Sequence, residues 1–386
     1  SLSLDAQLSA SFMYQTFTGL YQGFRKTVLC IYLQPNSYIP DTRMLTTYRQ
    51  AHVQISHVPP TQSNQQITVN DEDLLIIAPA TFETAIMPLI NHKESIGINT
   101  LFVSTETIYE TYPGRDHQEQ IKYAIKDVIE THGIQYVLLI GGRNGGVFNE
   151  KWHVPVRYSH VDDNSDFETS YISDLYYADI YNETGDFSTW DPDGNGVFSQ
   201  WNSHHKDILE LMPDVIVGRL PCRNKGEVTT MVNKIIIYET TTGESDLFSR
   251  IVGIGGDSAP GYVYNEGEEE NKLAFEYMKN FTAIHCWTSD QTLTGVNDVI
   301  NAISAGCGFL FFDGHGNPST WSTHPPDDAE TWITGLGNPD MNKLKNSETF
   351  PVTVVGGCHN GQFNVSPLNI IADIFHYGFN GYFFNA

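Results

Sequence analysis

Phe309-Leu-Phe-Phe-Asp-Gly-His-Gly316 is an apolar run of strand length that stops at a glycine and then presents a histidine. Val352-Thr-Val-Val-Gly-Gly-Cys-His-Asn-Gly361 repeats the design with a cysteine in the histidine's place. Working back from this pair, Ile251 to Ile254 and Ala283 to Trp287 read as strands, with helical patterns over Glu268 to Asn280 and Val296 to Ala305. The strands Gly308 to Phe312 and Pro351 to Val355 complete the series. Further upstream the alternation occurs once already. Strands Leu74 to Ala78, Thr100 to Val103 and Tyr136 to Ile140 enclose helices Phe82 to Ser95 and Gln118 to Thr131. Strand Val215 to Val217 and the amphipathic helix Lys225 to Thr240 follow an irregular stretch from Tyr158 to Trp201. Strands alternating with helices predict an α/β fold with a largely parallel sheet, built here as two similar halves.

In such sheets chemistry gathers beyond the strand C-termini. If these two strands are neighbours in a parallel sheet, about 4.8 Å apart, His315 and Cys358 project over one edge within reach of a common substrate carbonyl. A thiolate beside an imidazolium has a depressed pKa and attacks a carbonyl, and the imidazolium then protonates the leaving amine. The flanking glycines let amides turn outward, which nominates the Gly316 and Cys358 N–H groups as oxyanion donors. The competing reading makes Cys358 a small buried hydrophobe and His315 a satisfied loop histidine. His359 is a rival base, but as the immediate neighbour of Cys358 it should point elsewhere.

Composition narrows the classes. A chain of 386 residues with 40% hydrophobic content can bury a core for two or three domains. Acidic residues outnumber basic ones 46 to 21, and a net charge of −25 disfavours nucleic acid and anionic membrane surfaces. No run approaches the roughly 18 to 20 apolar residues of a membrane span. No basic and apolar leader is visible at the N-terminus. Cysteines at 30, 222, 286, 307 and 358 are too scattered for a disulfide framework, and their odd number leaves a thiol over. There is no CxxC pair, HExxH helix or GxxxxGK[ST] loop. Asp191-Pro-Asp-Gly-Asn-Gly-Val-Phe198 offers Asp191, Asp193, Asn195 and the Val197 carbonyl at alternate positions, as in the first half of an EF-hand loop. Residue 202 is Asn rather than the Glu that would close such a loop, so structural Ca²⁺ would have to borrow carboxylates, with Glu183 and Asp186 as candidates. A metal-free Asx turn is the alternative.

Asp313-Gly-His-Gly-Asn-Pro-Ser-Thr-Trp321 and Gly357-Cys-His-Asn-Gly-Gln-Phe363 resemble the Gly-His-Gly segment with its following Trp and the Cys-x-Asn-Gly-x-Phe segment of the gingipain-type cysteine peptidases. Ser173-Asp-Leu-Tyr-Tyr177, Asp214-Val-Ile-Val-Gly-Arg-Leu-Pro221 and Tyr136-Val-Leu-Leu-Ile-Gly141 fall in the same order as in that family, so the likeness covers roughly residues 70 to 375. The resemblance implies a caspase-like α/β/α sandwich and a cysteine endopeptidase with Cys358 as nucleophile and His315 as general acid/base. Asp257, in Ile254-Gly-Gly-Asp257, matches the place of the family's histidine-orienting acid, and Asp313 is the rival. The family commonly carries calcium, which supports the acidic loop. Glu at four of the five positions Glu266 to Glu270 lies near the family's acidic selector for a basic residue before the scissile bond, with a solvated helix N-terminus as the plain alternative.

The resemblance also organises the chain. Residues 1–64 form a β-rich, propeptide-like piece, with strand-like runs Lys26 to Leu33 and His52 to Val58 around a turn-rich Gln34 to Arg43, closed by a linker from Pro59 to Asn64. Residues 65–245 form the first α/β subdomain with the acidic loop, and 246–386 the catalytic one, where a helix is expected over Pro367 to His376. Family members continue beyond that point, which implies processing or truncation near Ala386 and a C-terminal chain from the same precursor as a partner. Protein or peptide substrates and an extracellular or cell-surface setting follow from the same likeness. The alternatives are a non-catalytic binding module of this fold and a transpeptidase or ligase using the same acyl-enzyme.

Overall fold

The structure, a computed structural model, describes residues 12–21, 24–33, 36–39, 44–47, 72–144, 150–160 and 170–364. At the N-terminus β1 (Phe12–Tyr21) and β2 (Phe24–Leu33) pair antiparallel in register from Phe12↔Leu33 to Tyr21↔Phe24. A second ladder joins β3 (Asn36–Ile39) and β4 (Met44–Thr47), so part of the stretch expected as turn is strand. The expected run at 52–58, the linker at 59–64 and the helix at 367–376 lie outside the described residues.

The first sheet contains β5 (Leu74–Ala78), β6 (Thr100–Ser104), β7 (Tyr136–Ile140) and β10 (Ile216–Leu220), all parallel in the order β10-β7-β5-β6. Every residue of β5 is buried, and its alternate side chains serve two layers. Leu75 and Ile77 pack with Ile121, Ile125 and Ile129 of α3 (His117–His132). Leu74 and Ile76 face Ile86 and Leu89 of α1 (Glu83–Ser95) and Val228 and Met231 of α5 (Lys225–Ile237). That two-sided burial is why β5 is an unbroken apolar run. Asp116 caps α3 by accepting the Glu119 N–H at 2.8 Å, and Gly133 ends it at φ 73°. The sequence pattern missed α2 (Thr105–Thr111), whose Thr- and Glu-rich text lacks an apolar stripe and which starts on the Ser104 cap. Between β7 and β10 the described residues include a short pair, β8 (Tyr158–Ser159) with β9 (Tyr171–Ile172), and the single turn α4 (Leu175–Ala178).

The second sheet repeats the plan with β11 (Arg250–Gly255), β12 (Thr282–Trp287), β13 (Phe309–Asp313) and β17 (Val352–Gly356), parallel in the order β12-β11-β13-β17. One face is covered by α7 (Val296–Ser304), which buries Val252, Ile254, Leu310 and Phe312. The other carries α6 (Glu266–Tyr277), which approaches closely because β11 is glycine-rich there. A Cβ on Gly255 would lie 2.5 Å from the Gly267 carbonyl oxygen. The order reverses between β11 and β13, which puts a crevice beyond their C-terminal ends. Over that crevice folds an antiparallel sheet absent from the sequence reading: β14 (His315–Asn317), β15 (Thr320–Thr323) and β16 (Ile333–Gly337). The whole is an α/β/α arrangement with mostly parallel strands. Among the described residues no helix is long and apolar enough to cross a membrane.

Candidate active site

β13 and β17 are neighbours paired through Asp313↔Gly356, so His315 and Cys358 each emerge two residues beyond matched positions on adjoining strands. Cys358 is exposed, whereas Cys222, Cys286 and Cys307 are buried free thiols. Burial pushes those three up, to about 12, 11 and 12, which keeps them protonated and inert at neutral pH. Of these four thiols Cys358 is the one open to a substrate.

His315 is half-buried, and its Nε2 lies 2.7 Å from the Ser258 carbonyl oxygen. A carbonyl only accepts, so Nε2 carries the proton and Nδ1 of the neutral ring is the basic nitrogen. Asp257 lies one residue away, 1% exposed, but no hydrogen bond joins it to the imidazole. Its carboxylate accepts the Ala259 N–H at 3.2 Å and the Asp327 N–H at 2.8 Å, and its own N–H donates to the His324 carbonyl at 3.0 Å. The direct partner of the imidazole is therefore a main-chain carbonyl, and Asp257 fixes the loop carrying it. No side-chain pattern marks a backbone acceptor, and the carboxylate was what the family resemblance implied. Asp313 faces the other way: its carboxylate borders Gly356, and burial together with Glu270 pushes it up to about 6. His359, at φ 60°, turns its ring to Gln362, with Nδ1 3.0 Å from Oε1.

Asn360 locks the two loops together. It is 2% exposed, and its Nδ2 donates to the carbonyls of Asn317 at 2.7 Å and Thr320 at 3.1 Å, the two ends of the β14–β15 turn. Its Oδ1 fills the space beside two glycines: a Cβ on Gly316 would sit 2.1 Å from it and one on Gly357 2.3 Å. The same Cβ on Gly316 would lie 2.6 Å from the Cys358 carbonyl oxygen, so the amides of Gly316 and Cys358 belong to one crowded edge. Trp321, fully buried, donates its indole N–H to the Gly356 carbonyl at 3.1 Å and wedges the hairpin against β17. Beyond the thiol, Phe363 packs edge-on to Trp152 at 5.9 Å and Asn364 donates to the Tyr158 hydroxyl at 3.1 Å, which anchors the nucleophile loop on the first half.

The acidic segments divide by use. Glu268 is buried and accepts from the Ser289 N–H and hydroxyl at 3.0 and 2.7 Å, Glu269 pairs with Lys272, and Glu266 accepts the Ala259 N–H at 3.1 Å. In the loop at Asp191, that carboxylate is buried with one oxygen held by Arg115 at 2.6 Å and by the Gly196 N–H, while Oδ1 has no partner. Burial, with Asp193 and Asp191 nearby, raises Asp207. Asn195 Oδ1 instead accepts the Val197 N–H at 2.7 Å, and among the described residues no three His, Cys, Asp or Glu side chains converge as metal ligands. Asp191, Asp193 and Asp207 are near enough to repel one another, but their carboxylates do not converge on a common point.

Fold and edge together define a class: a caspase-like α/β/α protein with a thiol and an imidazole on adjoining strand ends. The profile of peptidase family C25 matches residues 67–374, and the chain belongs to that family. It is 22% identical over 299 residues to gingipain R2 of Porphyromonas gingivalis, a match covering 75% of this chain and 32% of that protein. An uncharacterized protein of Archaeoglobus fulgidus is 23% identical over 319 residues, covering 79% of this chain and 68% of the relative. The chain thus spans about a third of the length of gingipain R2. The crystal structure of the Arg-specific cysteine proteinase gingipain R superposes with a TM-score of 0.53 at 19% identity, covering 77% of this chain and 56% of that one. The complex of the pro- and mature domains of Porphyromonas gingivalis RgpB gives 0.52 at 19% identity, covering 76% and 57%. At this identity the two superpositions speak to fold alone.

Proposed function

We propose that the chain is a cysteine endopeptidase. The observation that carries this reading is the exposed thiol of Cys358 on the strand end next to His315, whose Nε2 is fixed by the Ser258 carbonyl. His315 Nδ1 takes the thiol proton, and the Cys358 sulfur bonds the scissile carbonyl carbon. The imidazolium then returns the proton to the amine as the C–N bond breaks. Water, deprotonated by the same nitrogen, releases the acyl group. The Gly316 and Cys358 amides stabilise the oxyanion, and Asp257 acts as a positioning residue through the Ser258 loop.

A basic residue before the scissile bond is the proposed preference. It rests on Glu266, which is bonded to the loop that holds His315, and on the overall negative charge. Structural Ca²⁺ at Asp191, Asp193, Asn195 and the Val197 carbonyl is proposed by likeness to the gingipains, with the loop closing on the ion as it binds, so calcium should raise the melting temperature and chelator should lower it. Synthesis as a zymogen, with the N-terminal piece as prosegment, self-processing, a retained C-terminal chain and an extracellular or cell-surface setting extend the proposal by likeness to the gingipains. Fluorogenic peptides with Arg, Lys, Asn or Asp before the scissile bond test it. Cleavage is expected with Arg or Lys preferred and none with Cys358→Ala; equal cleavage by that variant would overturn the enzyme reading, and preference for Asn or Asp the basic specificity.

A further inference from the structure

The buried stripe Val228, Met231, Val232 and Ile235 turns α5 toward the first sheet. Lys234 and Tyr238, one turn apart, fall off that stripe and look toward the second half. There they line a cavity of 220 Å³ together with Leu310 and Phe312 of β13 and Thr353 of β17, and the loop 341–351 forms its far wall. Just past α5 the Thr242 hydroxyl donates to the Glu348 carbonyl at 3.3 Å, which pins that loop to the first half.

A void of this size stands out in an interior packed like an organic crystal. It exceeds the roughly 150 Å³ apolar cavity that takes up benzene. Among the described residues Lys234 supplies the charge of the lining, and the other side chains there are apolar or neutral. Its Nζ stands 4.9 Å from the centroid of the Phe350 ring, which is itself part of the wall, so the amine sits at the cavity rather than in bulk water. The side chain is half-buried, and desolvation pushes its amine down to about 7. An ammonium so placed gains from an anion that enters beside it, because apolar walls strengthen the attraction and leave little water to compete.

We propose that this cavity binds a small apolar carboxylate, a chain or ring of about six to eight carbons whose acid group meets Lys234 Nζ. The body of the ligand lies against Leu310, Phe312 and Thr353, on the strands that lead to His315 and Cys358, and so bridges the two halves. The site stands apart from the peptidase reading, since none of its residues belongs to the Cys358 edge.

Octanoate and 1-octanol share a chain and differ in charge, and calorimetric titration of the full chain with each at pH 6.5 tests the proposal. Octanoate should bind about tenfold tighter than octanol or more, and should raise the melting temperature. Lys234→Met keeps an apolar stem without the charge and should remove that preference while octanol still binds. Leu344→Trp, in the same wall, fills the cavity and should weaken both ligands by about tenfold or more. Equal affinity for the two ligands in the wild-type chain, no saturation by either, or octanoate binding indifferent to Lys234→Met or to Leu344→Trp would overturn the site.

Discussion

At the C-terminal edge of the first sheet, Arg219 of β10 is 4% exposed and donates to the carbonyls of Gly141 at 2.8 Å, Val154 at 2.7 Å and Pro155 at 3.2 Å. It also grips Asp174 through Nε at 2.6 Å and Nη2 at 2.8 Å. At the same edge of the second sheet the strand ends are also crowded with glycine, but Cys358 faces solvent and His315 is tied through one nitrogen only. The two halves share strand order logic and layer structure and differ in how the edge is finished. A guanidinium saturates the first; the second keeps one thiol and one ring nitrogen for a substrate. On the proposed function, a repeated α/β scaffold supplies stability at one crevice and chemistry at the other.

The sharpest way to break the comparison is to unseal the first edge. Arg219→Ala strands three carbonyls and the Asp174 carboxylate, and should cost about 3 kcal/mol of stability or more in a urea titration; the Arg219 guanidinium also lies 5.6 Å from the Phe363 ring of the nucleophile loop, so any loss of turnover should follow that loss of stability. An effect of that size on turnover without loss of stability would contradict the division of labour. Next comes the lock at the second edge. Asn360→Ala leaves the Asn317 and Thr320 carbonyls without their donor and should destabilise by about 1 to 2 kcal/mol. Because it sets the spacing of the two loops, kcat/KM should fall by roughly tenfold or more. Loss of stability with unchanged turnover would make Asn360 a packing residue only.

The smallest effect is electrostatic. Burial, with Glu270 nearby, pushes the Asp313 carboxyl up from the usual 3.8 to about 6 in the folded chain. Below the usual value both states hold the proton, and the group contributes nothing. As pH rises through the folded value the native carboxyl must ionise at a cost that the unfolded chain does not bear, so stability is lost. Asp313→Asn should therefore stabilise by about 1 kcal/mol at pH 8, allowing for partial exposure, and be neutral near pH 3.5. Equal melting shifts at both pH values would remove the assignment.

What was legible in the sequence follows from physical pattern. Leu74–Ala78, Tyr136–Ile140 and Phe309–Asp313 are apolar runs because both sheet faces are covered, and the amphipathic periods of α3 and α5 reflect one buried stripe each. Glycine followed by Cys358 or His315 showed where those strands end. The antiparallel β14–β16 was hidden, since His315-Gly-Asn317 and Thr320-Trp-Ser-Thr323 are too short and polar to alternate. The loop from His324 to Trp332, which backs the imidazole, has no period at all. Asn360 stood inside a recognised motif, but its partners are carbonyls 40 and 43 positions away, and no local signal gives such contacts.

The central claim is that Cys358 is the reactive thiol and that His315 activates it. Limiting alkylation by a chloromethyl ketone peptide at pH 7, followed by mass mapping, tests both parts at once. The account predicts label on Cys358 ahead of Cys222, Cys286 and Cys307, with the rate dropping by about a hundredfold or more in a folded His315→Ala variant. Label on one of the buried thiols first, or a Cys358 rate indifferent to that substitution, would contradict it.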